Sequence, residues 1–250
     1  MIDLKLEGQV AIVTGASRGL GQAAALALVE QGVRVLVAAR SLDDLKELES
    51  SAPGKILAAQ CDMKDADSVA QLPGQAIDAF GRLDIVVNNA GIAPAGYFLK
   101  QSNEVWDDVM AVNVNAPAIL ARAAGHGMIE QGSGKIINIA STSGILGKAM
   151  LVAYSTSKGA LLQFTKALAA EWAKKGVQVN AIAPGAFETD AQRAVLKSPD
   201  ILKRRLGKIP IRRMGEVGEI GPLICYLASP ASNFVTGSVF VIDGGESCKL

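Results

Sequence analysis

Tyr154 and Lys158 stand four positions apart in the stretch Tyr154-Ser155-Thr156-Ser157-Lys158. On a helix that spacing brings both side chains to one face. A phenol ordinarily titrates near ~10, and a neighbouring positive charge favours the phenolate. Bringing it to neutrality takes about 3 units, or roughly 4 kcal/mol of differential stabilisation. A proton donor near working pH is what carbonyl reduction requires, because the oxygen must gain a proton as the carbon gains a hydride. Ser141 closes the run Lys135–Ala140, and its hydroxyl can hold a substrate oxygen beside the phenol. Asn113 lies inside a helix-length stretch, where asparagine is a poor fit and can bend the helix or hold water. Each has an ordinary reading: helix-surface polars for Tyr154, Lys158 and Asn113, and a turn or cap for Ser141. Their convergence on one crevice favours the chemical reading.

Short β-branched runs alternate with long amphipathic stretches throughout. The runs are Val10–Val13, Val33–Ala39, Ile56–Gln60, Leu83–Val87, Lys135–Ala140, Val177–Ile182 and Ser238–Ile242. They are continuous in apolar character, as in a parallel sheet covered on both faces. Helices are expected over Gly19–Gln31, Ser41–Ser50, Ser102–Gln131 and Leu151–Lys174. Ser41 is the expected N-cap, with Asp43 and Asp44 in the first turn. Pro73 should kink or split a helix over Asp65–Phe80. The pattern predicts a doubly wound Rossmann-type α/β fold, read as one domain over residues 1–250 with a lid around 190–213.

Gly15, Ser17, Arg18, Gly19, Leu20 and Gly21 follow the first strand and open a helix. Glycines there let backbone N–H groups approach a pyrophosphate, and the helix N-terminus favours its charge. The spacing is Gly-x-x-x-Gly-x-Gly, and a ligand-free turn is the competing reading. The tip of strand two is Ala38-Ala39-Arg40-Ser41, with no acid to hold a ribose 2′-hydroxyl or repel a 2′-phosphate. Arg40 is placed to pair with that phosphate, and Arg18 can close from the other side, so NADP(H) is expected over NAD(H). Asp62, after strand three, is a candidate partner for the adenine amino group. The positive ring of the oxidised cofactor would assist Lys158 in lowering Tyr154.

Net charge is +1, which favours neither nucleic acid nor a membrane surface, and no apolar run reaches membrane-spanning length. The N-terminus has no signal-like pattern, so a cytoplasmic protein is expected. The three cysteines and single histidine, His126, suggest no disulfide framework, metal site or His-centred triad.

The chain resembles the short-chain dehydrogenase/reductases over essentially its whole length, in particular 3-oxoacyl-carrier-protein reductase and gluconate 5-dehydrogenase-like members. The matching pieces are Thr14–Gly21, Asn88–Gly91, Asn113, Ser141, Tyr154–Lys158, Pro184–Thr189 and Val235–Gly245. The resemblance implies that Tyr154 is the acid/base, Ser141 orients the carbonyl, Lys158 binds nicotinamide ribose and tunes Tyr154, and Asn113 holds a relay water. Asn89, Ala90 and Gly91 would line the ribose. Pro184, Gly185, the Phe187 backbone and the Thr189 hydroxyl would anchor the carboxamide. It also implies a seven-stranded parallel sheet and a homotetramer. Two departures stand out. Glu216-Val217-Gly218-Glu219 replaces a proline–acid helix start. Gly132 occupies one of two basic carrier-docking positions, the other being Lys175.

The segment 190–213 carries Arg193, Lys197, Lys203, Arg204, Arg205, Lys208, Arg212 and Arg213 against Asp190 and Asp200. It is either a solvated face or an attractor for an anionic substrate. Ala93, Pro94, Ser143, Ile145, Leu146, Met150 and Phe187 are the expected pocket lining. The expected function is hydride transfer between NADP(H) and a ketone, 3-oxoacyl thioester or keto-sugar acid. A catalytically silent redox regulator on the same fold is the alternative.

Overall fold

The computed structural model describes residues 3–192 and 196–248. Seven parallel strands form one sheet in the order β3-β2-β1-β4-β5-β6-β7. They are β1 Val10–Thr14, β2 Arg34–Ala39, β3 Ile56–Gln60, β4 Ile85–Asn88, β5 Gly134–Ile139, β6 Val177–Pro184 and β7 Val239–Ile242. Successive residues of β1 feed opposite faces. Ala11 and Val13 join Leu28 and Ile224 in one core, while Val10 and Ile12 join Leu72 and Leu120 in the other. All of these are essentially inaccessible, and each Val, Leu and Ile among them contributes about 1.5–3 kcal/mol by leaving water. This two-sided burial explains why the strand sequences do not alternate.

The helices are α1 Gly19–Glu30, α2 Leu42–Ser51, α3 Ala66–Phe80, α4 Asn103–Met110, α5 Ala116–Glu130, α6 Val152–Trp172, α7 Pro199–Lys208 and α8 Gly221–Ala228. Two local expectations need correction, while a third, Ser41 as the N-cap of α2, holds in position. Pro73 does not split α3: the helix runs through it, with Val69, Leu72, Pro73 and Ala76 all on its buried face. Core packing and an Asp65 cap, which accepts from the N–H groups of Asp67 and Ser68, outweigh one missing N–H. Ser41 occupies the N-cap of α2 without a side-chain cap bond. The expected helix Ser102–Gln131 is not continuous α-helix, because Ala111–Asn115 forms a π turn between α4 and α5. At the departure Glu216–Glu219 the helix start is supplied differently: the Glu216 side chain and Glu219 side chain form a reciprocal capping box.

β1 and β4 are neighbours, but their following connections go to opposite sides of the sheet, towards β2 and β5. Ligands of open α/β sheets bind in the crevice at such a reversal, at the carboxyl ends of the strands.

Candidate active site

The glycine loop at the end of β1 is bolted to β4. Thr14 Oγ1 accepts the N–H groups of Asn89 and Ala90, each at 3.1 Å. Asn89 Nδ2 donates back to the carbonyls of Thr14 at 2.9 Å and Gly15 at 3.1 Å. Gly15 has φ +65°, and a β-carbon there would sit 2.8 Å from Ala90 Cα, so only glycine fits. Arg18 is the N-cap of α1 and makes no side-chain cap bond, and no acid stands in the first turn. The first N–H groups of α1 therefore face the crevice without a protein anion, which suits a phosphate.

Arg18 and Arg40 are exposed, and among the described residues neither is in an ion pair. Asp62 is exposed at the end of β3, with Oδ1 accepting the Lys64 N–H at 3.0 Å. One of its oxygens is thus spent on a turn. Across the crevice, Gly185 N–H is bound by the Ile242 carbonyl and Thr189 N–H by the Phe187 carbonyl, each at 2.9 Å. Gly19 lies beside the Thr189 methyl group, so the loops after β1 and β6 close on one another. The glycine cradle, the open helix terminus and the free guanidiniums fit a phosphorylated dinucleotide.

The chemical residues converge at the ends of β4 and β5 and on the first turns of α6. Lys158 is 3 % exposed, and its Nζ donates to the Ile139 carbonyl at 2.7 Å. It also lies 5.8 Å from the centroid of the Tyr154 ring, within cation–π range. Burial pushes its ammonium down to about 8. Tyr154 is moved the other way: burial raises its phenol above the ordinary value, partly offset by a hydrogen bond with Ser141. The expected lowering by Lys158 does not accompany these two effects. Burial dominates, and the ammonium addresses the ring rather than the oxygen. Ser141 is buried, and its Oγ also accepts the Ser143 N–H at 3.1 Å.

Asn113 is wholly buried in the π turn. Its Oδ1 accepts from Ile92 N–H and its Nδ2 donates to Ile92 carbonyl, both at 2.9 Å. The second Nδ2 hydrogen goes to Ser157 Oγ at 3.0 Å, and Ser157 donates to the Tyr154 carbonyl at 2.7 Å. Its amide hydrogens are spent on positioning, so a relay water would be held through one of the residue's oxygens instead. A π turn shifts the backbone register locally, a device common at functional sites. Beneath the site, Asn88 donates to Asn138 at 2.8 Å, and Asn138 to Thr165 at 2.9 Å. Sequence reasoning missed Ser157, Asn138 and Thr165. A polar residue inside the buried run Lys135–Ala140 was the available signal for Asn138.

The expected substrate lining divides. Ile145, Leu146 and Met150 are exposed along one loop, and Gly96 N–H binds the Met150 carbonyl at 2.9 Å, joining the loops after β4 and β5. Phe187 departs from this group: its ring packs over Gly215 in a separate recess with Ile211 and Ile242. The lid is not uniformly cationic. Arg205 pairs with Glu246 and Arg213 with Glu219, and Arg212 donates to the Gly207 carbonyl. Arg193 lies outside the described residues. His126 is exposed on α5, and the three cysteines are free. Among the described residues, no metal-binding cluster forms and no helix is long and apolar enough to cross a membrane.

A parallel sheet with a glycine cradle at its switch point and a serine–tyrosine–lysine cluster beside it defines a nucleotide-dependent oxidoreductase. The family model described as enoyl-(acyl carrier protein) reductase matches residues 15–247, and the chain belongs to the short-chain dehydrogenase/reductase family. It is 38 % identical over 245 residues to a 3-oxoacyl-[acyl-carrier-protein] reductase of Synechocystis, covering 96 % of this chain and 97 % of that one. It is 34 % identical over 248 residues to gluconate 5-dehydrogenase of Gluconobacter oxydans, covering 98 % and 97 %. A candidate 2-deoxy-D-gluconate 3-dehydrogenase from Agrobacterium tumefaciens, solved with bound NADP, superposes with TM-score 0.91 at 34 % identity over the full length of both chains.

Proposed function

We propose that this protein is an NADP(H)-dependent oxidoreductase that interconverts a carbonyl and a secondary alcohol. The observation that carries the reading is the Tyr154 phenol set between Ser141 and Lys158 at the mouth of the switch-point crevice. When bound, the cofactor supplies or accepts the hydride at the substrate carbon. In reduction, Ser141 holds the substrate oxygen, and Tyr154 Oη–H gives it a proton as the C=O π pair moves onto oxygen. The phenolate regains its proton from solvent, and Lys158 holds positive charge beside the ring while it does so. Lys158, Asn89, Ala90 and Gly91 line the ribose side. Gly15, Ser17, Gly19, Leu20 and Gly21 cradle the pyrophosphate. Pro184, Gly185, Phe187 and Thr189 border the nicotinamide, and Asp62 the adenine. Arg40 and Arg18 recognise the 2′-phosphate, a preference that the NADP-bound relative supports.

In this scheme Asn113 positions Ile92 and Ser157 and, with Lys158, supports the return of the proton to Tyr154. The substrate classes acted on by the relatives, acyl thioesters and sugar acids, bracket the choice here. The protein acts as one domain with a lid at 190–213, and we assign it to the cytoplasm, where three unpaired cysteines stay reduced. A homotetramer is the proposed assembly, consistent with the exposed Phe234 and Val241 beside and on edge strand β7. The silent-regulator alternative is not favoured, because Ser141, Tyr154 and Lys158 are all in place. The test is NADPH oxidation against ketones, 3-oxoacyl thioesters and keto-sugar acids, beside Tyr154→Phe. Turnover should vanish in the variant while NADPH still binds; turnover that survives it overturns the assignment of Tyr154.

A further inference from the structure

The chain leaves the crevice at Thr189 and returns to it at Gly215, and both ends of this excursion are fixed there. Gly215 N–H binds the Ala186 carbonyl and Glu188 N–H binds the Gly215 carbonyl, each at 2.9 Å, while Thr189 stands beside Gly19 of the glycine loop. The described part of the excursion centres on α7, which is held more loosely. It has no fully buried residue, and its Leu202 and Leu206 are only partly covered in a small cluster with Ala186, Ile209 and Met214. The segment that follows α7 rests against the last turn of the chain. Ile211 N–H binds the Gly244 carbonyl at 3.3 Å, and Gly244, at φ +63°, has no room for a β-carbon beside Ile209 and Ile211. The same turn reaches back to the crevice: Gly185 N–H binds the Ile242 carbonyl at 2.9 Å, and a β-carbon on Gly185 would fall 2.5 Å from that of Asp243. Asp243 stiffens the turn by accepting Gly245 N–H at 2.8 Å and Ser247 N–H at 2.7 Å. Packing across this seam is incomplete, with a recess of about 70 Å³ between Phe187, Ile211, Gly215, Ile242 and Gly244. The directional contact comes from α7 itself, where the Arg205 guanidinium holds both carboxylate oxygens of Glu246. The two side chains are 17 % and 18 % exposed, so salt screens the pair little.

We propose that Glu246 is a positioning residue: through Arg205 it latches α7 to the C-terminal turn and so sets the affinity of the crevice for cofactor and substrate. This rests on the proposed oxidoreductase activity, in which Pro184–Thr189 borders the nicotinamide. A loosened α7 acts on that border directly, because Ala186 shares one apolar cluster with Ile209 and Met214 and is bonded to Gly215. The chemical step should keep its rate, since Ser141, Tyr154 and Lys158 stand on other elements, at the end of β5 and on α6.

The experiment uses the full chain and Glu246→Gln. Trypsin can cut α7 after Lys203 and Arg204, and just before it after Lys197, and mass spectrometry reads each site. In the variant, cutting at these three sites should rise about fivefold or more, with cutting elsewhere unchanged, because local opening exposes them. The Kd for NADPH, from fluorescence titration, should rise by about the same factor. With the ketone, thioester or keto-sugar acid that the wild type turns over, KM should rise while kcat stays within about twofold. Unchanged cutting, unchanged NADPH affinity, or a fall in kcat at constant KM overturns the latch. So does faster cutting spread over the whole chain, which would mean general loosening. If Glu246→Gln does not fold, Arg205→Lys takes its place with the same outcomes, since lysine keeps the charge and loses the paired N–H groups. Absent turnover with intact NADPH binding counts against the proposed function alone, and the titration and the cutting still decide the latch. Absent NADPH binding in the wild type overturns both.

Discussion

Replacing Asn113 by alanine would expose how much of the site's geometry hangs on one buried amide. The side chain is fully buried and makes three hydrogen bonds, two with the backbone of Ile92 and one with Ser157 Oγ. Alanine leaves the N–H and C=O of Ile92 without partners. An orphaned buried polar group costs about 1–3 kcal/mol. Ile92 is only half-buried, and the polar void can admit water, so the total should fall in the lower half of the range, about 2–4 kcal/mol. Urea unfolding followed by far-UV circular dichroism measures it, provided the slope is unchanged. Activity should fall as well. Ile92 follows Gly91 at the crevice, and Ser157 bonds the carbonyl of Tyr154. A loss of kcat/KM of about tenfold or more, or ~1.4 kcal/mol, is expected at a temperature where the variant remains folded. A stability loss under ~1 kcal/mol together with unchanged turnover would refute this account, because such orphaned groups cannot be that cheap. Stability loss alone would reduce Asn113 to a structural residue. Ser157→Ala, which keeps both bonds to Ile92, should cost only about 1 kcal/mol.

Arg40→Asp should raise the KM for NADPH by two orders of magnitude or so, at about 1.4 kcal/mol per tenfold, and leave NADH much less affected; equal effects on both cofactors would refute phosphate pairing at strand two. Gly15→Ala must adopt φ +65° with its methyl 2.8 Å from Ala90 Cα. Equilibrium NADPH binding should weaken at least tenfold, and wild-type affinity would show that the loop is not the cradle. Lys135 is buried in β5 with only Ser232 Oγ and Asn233 Oδ1 as partners, and burial pushes it down to about 8. Its folded value lies below its unfolded one, so unfolding takes up protons above about pH 8. Its contribution to stability should therefore grow from about pH 8 towards the unfolded value near ~10.4, and Lys135→Met should flatten that rise in thermal unfolding. Identical pH profiles for the two proteins would refute it.

The strand order and helix succession were legible because burial on both faces of a parallel sheet leaves continuous apolar runs such as Val10–Val13 and Val177–Ile182. The glycine loop and the Tyr154–Lys158 pair were legible for a related reason: their spacing is local. What stayed hidden was decided by partners far along the chain. From the helix stretch alone nothing showed that Ile92 and Ser157, 21 and 44 residues away, take the amide hydrogens of Asn113. That the Phe187 ring packs over Gly215 was likewise set by a residue 28 positions further along the chain. The lid's arginines read as a single cationic face until Glu219 and Glu246 arrived from later elements. Pro73 was misjudged for the opposite reason, since a local rule was overruled by tertiary packing.

The electrostatics of Tyr154 and Lys158 carry one more consequence. Burial biases both groups toward their neutral forms, raising the phenol and lowering the ammonium. At neutral pH an ammonium titrating at about 8 is still mostly charged, yet it sits over the ring and is bonded to the Ile139 carbonyl. It is therefore poorly placed to supply the roughly 4 kcal/mol that a neutral-pH phenol needs. Ser141 supplies part, through the one hydrogen bond that favours phenolate. On the proposed function, the positive ring of the oxidised cofactor would supply the remainder when it is bound, since a charge acts more strongly in a dry crevice than in water. The phenol so raised is, on the proposed function, held in register beside Ser141 in its protonated form, the form that gives a proton in reduction.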